Sequence, residues 1–77
     1  MAKIDRVTAQ RRRRNLVTLF ERYGGTRNSF ALRARQPELV MEQMLDGVRP
    51  VTHLAADRIE HALGLARSWL DQRHRDT

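Results

Sequence analysis

Residues 26–50, TRNSFALRARQPELVMEQMLDGVRP, contain two short helical patterns separated by only a few residues. Thr26 is suited to cap a helix over residues 27–34, the second helix of the chain. The side chains expected to face inward from this helix are Phe30, Ala31 and Ala34. Pro37 fits the first turn of a third helix, and Gly47 fits the left-handed position that ends it. A tight turn therefore joins two short helices.

The third helix is amphipathic when its residues are placed at intervals of about 100°. One face is apolar and is expected to be buried: Val40, Met41, Met44 and Leu45. The opposite face carries Leu39, Glu42, Gln43 and Asp46. Leu39 is the informative member of this outer face, because an exposed leucine can meet a thymine methyl group or anchor a protein partner.

Upstream of this pair, a buried stripe with the spacing i, i+3, i+4 and i+7 predicts a first helix. The stripe consists of Leu16, Leu19, Phe20 and Tyr23. The helix is expected to start at residue 9 and to stop at Gly24-Gly25. Residues 1–8 show no periodicity and are expected to form a flexible N-terminal arm.

Downstream, Thr52 is suited to cap a fourth helix that Gly64 closes. The residues expected to face inward from it are Ala55, Ile59, Ala62 and Leu63. A fifth helix is predicted over residues 67–73, before a tail at 74–77. It carries Trp69 and Leu70, which either pack onto the first helix or form a dimer seam. No segment alternates with the period of a strand, so the predicted class is all-α.

The sequence has 77 residues and no cysteine, which predicts one small domain without disulfide bonds or a thiolate metal site. A core of this size is marginal, and a homodimer would add buried surface. The chain shows neither a signal-peptide pattern nor an apolar run long enough to span a membrane. We therefore expect a soluble, cytoplasmic protein.

The net charge of +6 is concentrated in the first half of the chain. Residues 1–35 contain ten Lys and Arg and two acidic residues, whereas residues 36–77 contain five and seven. All but one of the fifteen cations are arginine, whose planar fork pairs with phosphate oxygens. A polyanion is the expected partner of the first half, and a membrane surface is the weaker alternative.

Two short helices joined by a tight turn and followed by an amphipathic helix are what a helix-turn-helix requires. Beyond this arrangement, the sequence resembles the phage-repressor (lambda repressor and Cro-like) helix-turn-helix family over residues 13–71. The matching stretches are Phe30-Ala31, Met41 to Leu45 before Asp46-Gly47, Gly47-Val48-Arg49-Pro50, Arg58-Ile59-Glu60, Ala62-Leu63-Gly64-Leu65 and Trp69-Leu70-Asp71.

The resemblance implies a compact bundle of five short helices, often dimeric, that binds operator DNA and regulates transcription. By position in the motif, Arg27 would lie beside a backbone phosphate at the start of helix two. Arg49, in the connector after helix three, would also contact phosphate, and Asp46 would lie close to one. The residues that would face base edges are Gln36, Glu38, Leu39 and Gln43. We expect a repressor, because bound protein excludes polymerase, and no enzyme, cofactor, metal or small-molecule substrate.

The sequence departs from the family pattern at two places. Arg35, which we also expect to contact DNA, stands in the turn where the family usually has glycine. A left-handed backbone there would cost about 1 kcal/mol, so an altered turn is predicted. The outer face of helix three is acidic at Glu38, Glu42 and Asp46. Glutamate can accept from cytosine N4, so these acids would lower affinity while sharpening base preference.

The run Arg11 to Arg14 either contacts phosphate or forms a solvated helix face. Four adjacent positions wrap around a helix, so one surface can use only some of them, and we expect Arg13 and Arg14 to contact DNA. Two other clusters suggest chemistry, but local i, i+4 pairing explains the first better than a metal site does, and the second is crowded on one short segment with no evident oxyanion hole for a catalytic triad. They are His53, Asp57 and His61, and Ser68, Asp71 and His74.

Two alternatives to sequence-specific DNA binding remain open. The principal one is a protein-interaction module, such as an antirepressor or adaptor, whose acidic third helix binds a basic protein. The other is architectural or RNA binding through the arginine-rich segment alone.

Overall fold

Four α-helices and one 3-10 turn form the part of the chain that the computed structural model describes, residues 5–74. The helices are α1 (Arg6–Tyr23), α2 (Arg27–Arg33), α3 (Glu38–Asp46) and α4 (His53–Ala62), and the 3-10 helix, here named the C-terminal turn, is Trp69–Asp71. No strand occurs within these residues, which confirms the predicted all-α class. None of these helices combines the length and the apolar character that a membrane crossing needs.

Helix α1 begins three residues before the predicted start. Its N-cap is Asp5, whose carboxylate accepts a hydrogen bond from the Val7 N–H at 3.4 Å. Residues 6–8, expected in the flexible arm, are therefore helical, and residues 1–4 lie outside the described residues. A polar cap sets this start, so apolar periodicity could not locate it. The helix ends as predicted at Gly24, which has a left-handed φ of 73°.

Helices α2 and α3 form close to their predicted positions. The Thr26 hydroxyl accepts a hydrogen bond from the Ser29 N–H at 3.1 Å and caps α2. Pro37 is the N-cap residue of α3, one position before the first turn predicted for it. Gly47 ends α3 with a left-handed φ of 79°, as the sequence predicts.

Helix α4 has the predicted cap, in which the Thr52 hydroxyl accepts from the Ala55 N–H at 3.2 Å. Its inner face differs from the prediction. Ile59 is buried, but Ala56 and the charged Glu60 are buried too, whereas three residues expected inside are only half-buried. Those three are Ala55, Ala62 and Leu63.

The predicted fifth helix over residues 67–73 is wrong, and only the C-terminal turn forms there. Ser68 has a left-handed φ of 64° and Gln72 is extended, so the backbone is helical only between them. The Asn15 amide donates to the carbonyl oxygens of Leu70 and Gln72, both at 2.8 Å. These contacts hold the Leu70 and Gln72 carbonyl groups against α1 along a backbone that becomes extended at Gln72.

Two buried charged groups fasten the C-terminal turn. From α4, the Glu60 carboxylate accepts the Ser68 N–H at 3.1 Å and the Leu70 N–H at 2.8 Å. From α1, the Arg12 guanidinium donates to the Asp71 carboxylate through two nitrogens and to the Val51 carbonyl at 3.0 Å. The turn therefore connects the first and last helices, in place of the packing that a fifth helix would supply.

The core lies between the four helices and the C-terminal turn. Its largest fully buried side chains are Phe30, Leu16, Met41, Met44, Ile59, Leu70 and Val51. Leu70 closes the core, as one of the two sequence-based alternatives expects, while Trp69 is half-buried and stacks on His74 with ring centroids 3.7 Å apart. Tyr23, placed in the buried stripe by its spacing, is 40% exposed and contacts Phe30 with a centroid distance of 5.5 Å.

The Arg12–Asp71 pair makes stability depend on pH in acid. The hydrogen bond from Arg12 lowers the pKa of the Asp71 carboxyl. Partial burial raises this pKa by a smaller amount, and the positive charges of Arg12, His53 and Arg11 lower it further. The pKa of Asp71 is therefore lower in the folded protein than in the unfolded chain, where it is about 3.9. The pair stabilises the fold fully at pH values above the unfolded-state pKa, and this stabilisation is lost as the pH falls through the folded-state pKa.

Asp71→Asn is therefore expected to be less stable than the wild type near neutral pH and to lose less stability on acidification. Urea unfolding of both proteins at a series of pH values from neutrality to below about 3 measures this difference. Parallel stability curves for the two proteins would contradict the assignment.

Candidate nucleic-acid interface

Helix α3 presents one open side. Met41, Met44 and Leu45 are buried, whereas Leu39 is 62% exposed. Glu38 and Asp46 are also exposed, and Glu42 and Gln43 are half-buried. The two faces predicted for this helix are therefore present, with Val40 half-buried at the edge of the apolar face. We name the outer side chains of α3 and the arginines that contact its C-terminal end the α3 surface.

The turn between α2 and α3 keeps a left-handed residue although that residue is arginine. Arg35 has φ 55°, its N–H donates to Leu32 at 3.2 Å, and the Gln36 N–H donates to Ala31 at 2.9 Å. The altered turn predicted from the sequence is therefore wrong. The two hydrogen bonds and the packing of the flanking helices hold Arg35 in a backbone conformation that costs a non-glycine residue about 1–2 kcal/mol.

Arg35→Gly is expected to raise the free energy of unfolding by about 0.5–1 kcal/mol. Relief of the left-handed strain exceeds the greater entropy that glycine gives to the unfolded chain. Urea denaturation measures the gain, and Arg35→Ala is the matched control, because alanine loses the charge but keeps the strain. Equal stability of the Gly and Ala variants would show that this turn stores no strain.

Three arginines from three different elements meet at the C-terminal end of α3. Arg13 of α1 donates through Nε to the Leu45 carbonyl at 2.9 Å. Arg27 of α2 pairs with the Asp46 carboxylate at 2.9 Å, and Arg49 of the connector donates through Nε to the Gln43 side-chain oxygen at 2.8 Å. The C-terminal end of a helix carries partial negative charge, which favours these contacts. The resemblance placed Arg27 at the start of helix two and Arg49 in the connector after helix three, and it did not predict that Arg27 pairs with Asp46.

The Arg27–Asp46 pair is charged on both sides at neutral pH. The hydrogen bond between the two side chains lowers the pKa of Asp46 and raises that of Arg27. The pair is exposed, so salt screens it and it adds little to stability. A guanidinium has five N–H donors, and one carboxylate does not use all of them.

The remaining site candidates divide between two places. Arg35, Gln36 and Glu38 lie at the N-terminal end of α3, and Gln36 is half-buried. Arg35 also lines a cleft of about 620 Å³ together with Arg58 and Arg67. Arg14 does not join the α3 surface but lines a separate groove with Arg11 and Arg73.

The arginine run serves several purposes within one helix. Arg12 is 5% exposed and bonded to Asp71 and Val51, and Arg11 donates to the Asp71 carbonyl at 3.3 Å. The sequence analysis did not predict that Arg12 is buried and holds the C-terminal turn. The signal was present, since four consecutive residues cover a full turn and one must face the core.

The polar cluster of Ser68, Asp71 and His74 makes contacts within the fold. Ser68 donates its N–H to Glu60, Asp71 pairs with Arg12, and the His74 ring lies 2.7 Å from the Trp69 carbonyl oxygen. The backbone of Ser68 and the side chains of Asp71 and His74 are therefore held by contacts within the fold. Within residues 5–74 no group of three or more His, Asp or Glu side chains is arranged to hold a metal ion.

The chain was compared with protein-family models, with curated proteins and with solved structures, and none of the three comparisons gave a match. The geometry described above is therefore what supports a functional interpretation.

Proposed function

We propose that the protein binds double-stranded DNA sequence-specifically, with α2 and α3 acting as a helix-turn-helix and α3 entering the major groove. The observation that carries this proposal is the open side of α3 together with the arginines at its C-terminal end. An α-helix fits the major groove, where base edges present distinct patterns of donors and acceptors.

The outer residues of α3 supply the chemistry for base contacts. Gln43 can pair with adenine, Glu38 can accept from cytosine N4, and Leu39 can meet a thymine methyl group. Gln43 already accepts from Arg49, and that contact holds its side chain in one orientation. Such a fixed side chain loses less entropy when it contacts a base.

The arginines supply the attraction to the DNA backbone. In this proposal Arg27 and Arg49 contact phosphates beside the C-terminal end of α3, and Arg35 contacts a phosphate at its N-terminal end. Each such contact releases counterions and gives sequence-independent affinity. Base contacts from α3 then provide the preference for one sequence.

A cytoplasmic homodimer that represses transcription is the form of this proposal that we favour. Two copies would place two α3 helices in successive turns of the major groove, with half-sites about 34 Å apart. A protein of this size bound at a promoter would exclude polymerase by occupying the same DNA.

Asp46→Asn is expected to raise affinity for random-sequence duplex about tenfold at low salt. The change removes a negative charge close to the phosphates and releases Arg27 for one more contact, which makes the salt dependence steeper by about 0.9. Fluorescence anisotropy at several salt concentrations measures both quantities. Glu21→Gln is the control, because Glu21 is exposed on α1 and lines neither the α3 surface nor the cleft beside Arg35. Equal affinities of the Asp46 variant and the wild type would contradict the placement of Asp46.

The proposal is tested by titrating a random-sequence duplex with the full chain at two salt concentrations. With three phosphate contacts, affinity should fall about 40-fold between about 50 and 200 mM salt, and heparin should retain the protein. The absence of any duplex affinity at the lower salt concentration would contradict it.

A protein-interaction module is the second candidate, and one observation favours it. Leu39 of α3 is 62% exposed and Leu32 of α2 is 72% exposed, and the acidic residues of α3 lie around Leu39. An exposed leucine within an acidic rim suits a basic protein partner. If the protein is such a module, Leu39→Ala abolishes binding of the protein partner. The wild type and the variant then both fail to bind duplex DNA.

A further inference from the structure

The cleft beside Arg35 is lined by arginines from three parts of the chain. They are Arg35 of the turn between α2 and α3, Arg58 of α4, and Arg67 of the segment before the C-terminal turn. All three residues are exposed, and none of their guanidinium groups has a hydrogen-bond or ion-pair partner within residues 5–74. Arg27 and Arg49 of the α3 surface, in contrast, pair with side chains of α3. The cleft therefore contains three guanidinium groups whose donors are available to a ligand.

Two acidic residues share this cleft, and their carboxylates differ in availability. Glu60 is 4% exposed, and its two oxygens already accept backbone N–H groups at 3.1 and 2.8 Å. Asp57 is exposed on α4, and its carboxylate has no hydrogen-bond partner in the described part of the chain. Leu65 adds a half-buried apolar side chain to the lining. The cleft thus offers a ligand positive charge, one free acceptor and an apolar contact.

Left-handed backbone occurs at or beside two of these arginines. Arg35 has φ 55°, and Ser68, which follows Arg67, has φ 64°. Residues other than glycine are strained in this conformation, and such strain is concentrated at functional sites. Glycine would relieve the strain at position 35 but would remove the guanidinium from the cleft. A binding role for the Arg35 side chain would offset this cost in stability.

We propose that the cleft beside Arg35 binds a small phosphorylated molecule, whose phosphate group is held by the arginines of the lining. The planar fork of arginine pairs with phosphate oxygens. Asp57 can accept a hydrogen bond from a hydroxyl or amino group of the same ligand, and Leu65 can contact its apolar part. The cleft volume of about 620 Å³ lies within the range of about 300–1,000 Å³ that is typical of small-molecule sites. A nucleoside monophosphate has all three of these features.

A backbone phosphate of DNA fits this lining less well than a small ligand does. The DNA backbone lacks the 2′-hydroxyl and offers acceptors only, so the Asp57 carboxylate would face it without a donor. The neighbouring phosphates of the duplex would also lie close to that negative charge. A hydroxyl or amino group of a small ligand supplies the missing donor. The proposal therefore concerns a free small molecule, and it does not rest on DNA binding by α3.

The test is a calorimetric titration of the full chain with AMP at low ionic strength and without DNA. The cleft variant is Arg58→Gln/Arg67→Gln, which leaves Arg35 unchanged. The control is Arg22→Gln/Arg33→Gln, which removes the same charge from exposed arginines outside the cleft. The wild type and the control are expected to bind AMP with a dissociation constant of about 1 mM or lower. The cleft variant should bind AMP about 20-fold more weakly, because it loses two charge-assisted contacts.

Adenosine, which lacks the phosphate group, shows whether binding depends on that group. The wild type should bind adenosine at least about tenfold more weakly than it binds AMP. The cleft and control variants should bind adenosine alike, because their arginines have no phosphate to contact. Melting curves confirm that each variant is folded during the titration.

Three results would overturn the proposal. The cleft and control variants could bind AMP equally well, the wild type could bind adenosine as tightly as AMP, or the wild type could bind no AMP. In the third case, a cleft variant that loses duplex affinity where the control keeps it would assign the cleft to the DNA backbone. Because the AMP titration contains no DNA, failure of α3 to bind duplex DNA would leave its result unchanged.

Discussion

Glu60→Ala should lower the free energy of unfolding by about 3–4 kcal/mol, the largest stability effect that we expect from a single substitution. The Glu60 carboxylate is 4% exposed and accepts the backbone N–H groups of Ser68 and Leu70. Each hydrogen bond to a charged group contributes about 1.5–3 kcal/mol, and alanine would leave both N–H groups without this partner. The whole free energy of unfolding of a domain of this length is about 4–12 kcal/mol, so the expected loss is a large part of it. We expect the C-terminal turn to detach from α4 in this variant.

Thermal unfolding measures this loss as a decrease in Tm of about 15 °C or more. Glu60→Gln should have an intermediate effect, since the amide keeps one acceptor oxygen but cannot accept at the other position. Glu21→Ala is the control, because Glu21 is exposed on α1 and its loss should cost less than about 0.5 kcal/mol. A Glu60→Ala protein as stable as the Glu21→Ala protein would contradict the role of Glu60.

Arg27→Gln/Arg49→Gln should weaken binding of random-sequence duplex about 50-fold at about 0.1 M salt, the largest effect that we expect on affinity. Each lost phosphate contact removes about 0.9 from the slope of log affinity against log salt, so two contacts remove about 1.8. The loss should become small near 1 M salt. The control Arg22→Gln/Arg33→Gln removes the same charge from exposed arginines that belong neither to the α3 surface nor to the cleft beside Arg35.

Anisotropy titrations of both variants at several salt concentrations distinguish a contact from the general field of the protein. A field effect would weaken both variants alike, because both lose two positive charges. Equal slopes for the two variants would therefore show that Arg27 and Arg49 make no phosphate contacts. Melting curves confirm that each variant is folded during the titration.

The fold was largely predictable because its start and stop signals are local. Thr26, Thr52, Gly24 and Gly47 cap or end helices where their types predict, and Phe30 is buried where periodicity places it. The C-terminal turn was not predictable in this way. Its shape depends on side chains of α1 and α4 that are distant in sequence, and local propensity carries no information about those contacts.

The candidate site was predictable in part. Spacing placed Leu39 on the open side of α3 and Met41 on its buried side. The separation of Arg13 from Arg14 follows from the packing of α1 between α3 and the C-terminal turn, which a run of four identical residues does not reveal. The left-handed Arg35 shows that tertiary contacts can hold a residue where its own preference predicts a different turn.

Selection of bound sequences from a random duplex library tests most directly whether α3 contacts base edges. The wild type should enrich one palindromic motif, and Gln43→Ala should lose the preference at one position in each half-site. Arg27→Gln/Arg49→Gln should lower recovery without changing the motif, because phosphate contacts carry no base information. Recovery of no motif by the wild type, or of the same motif by Gln43→Ala, would contradict the account.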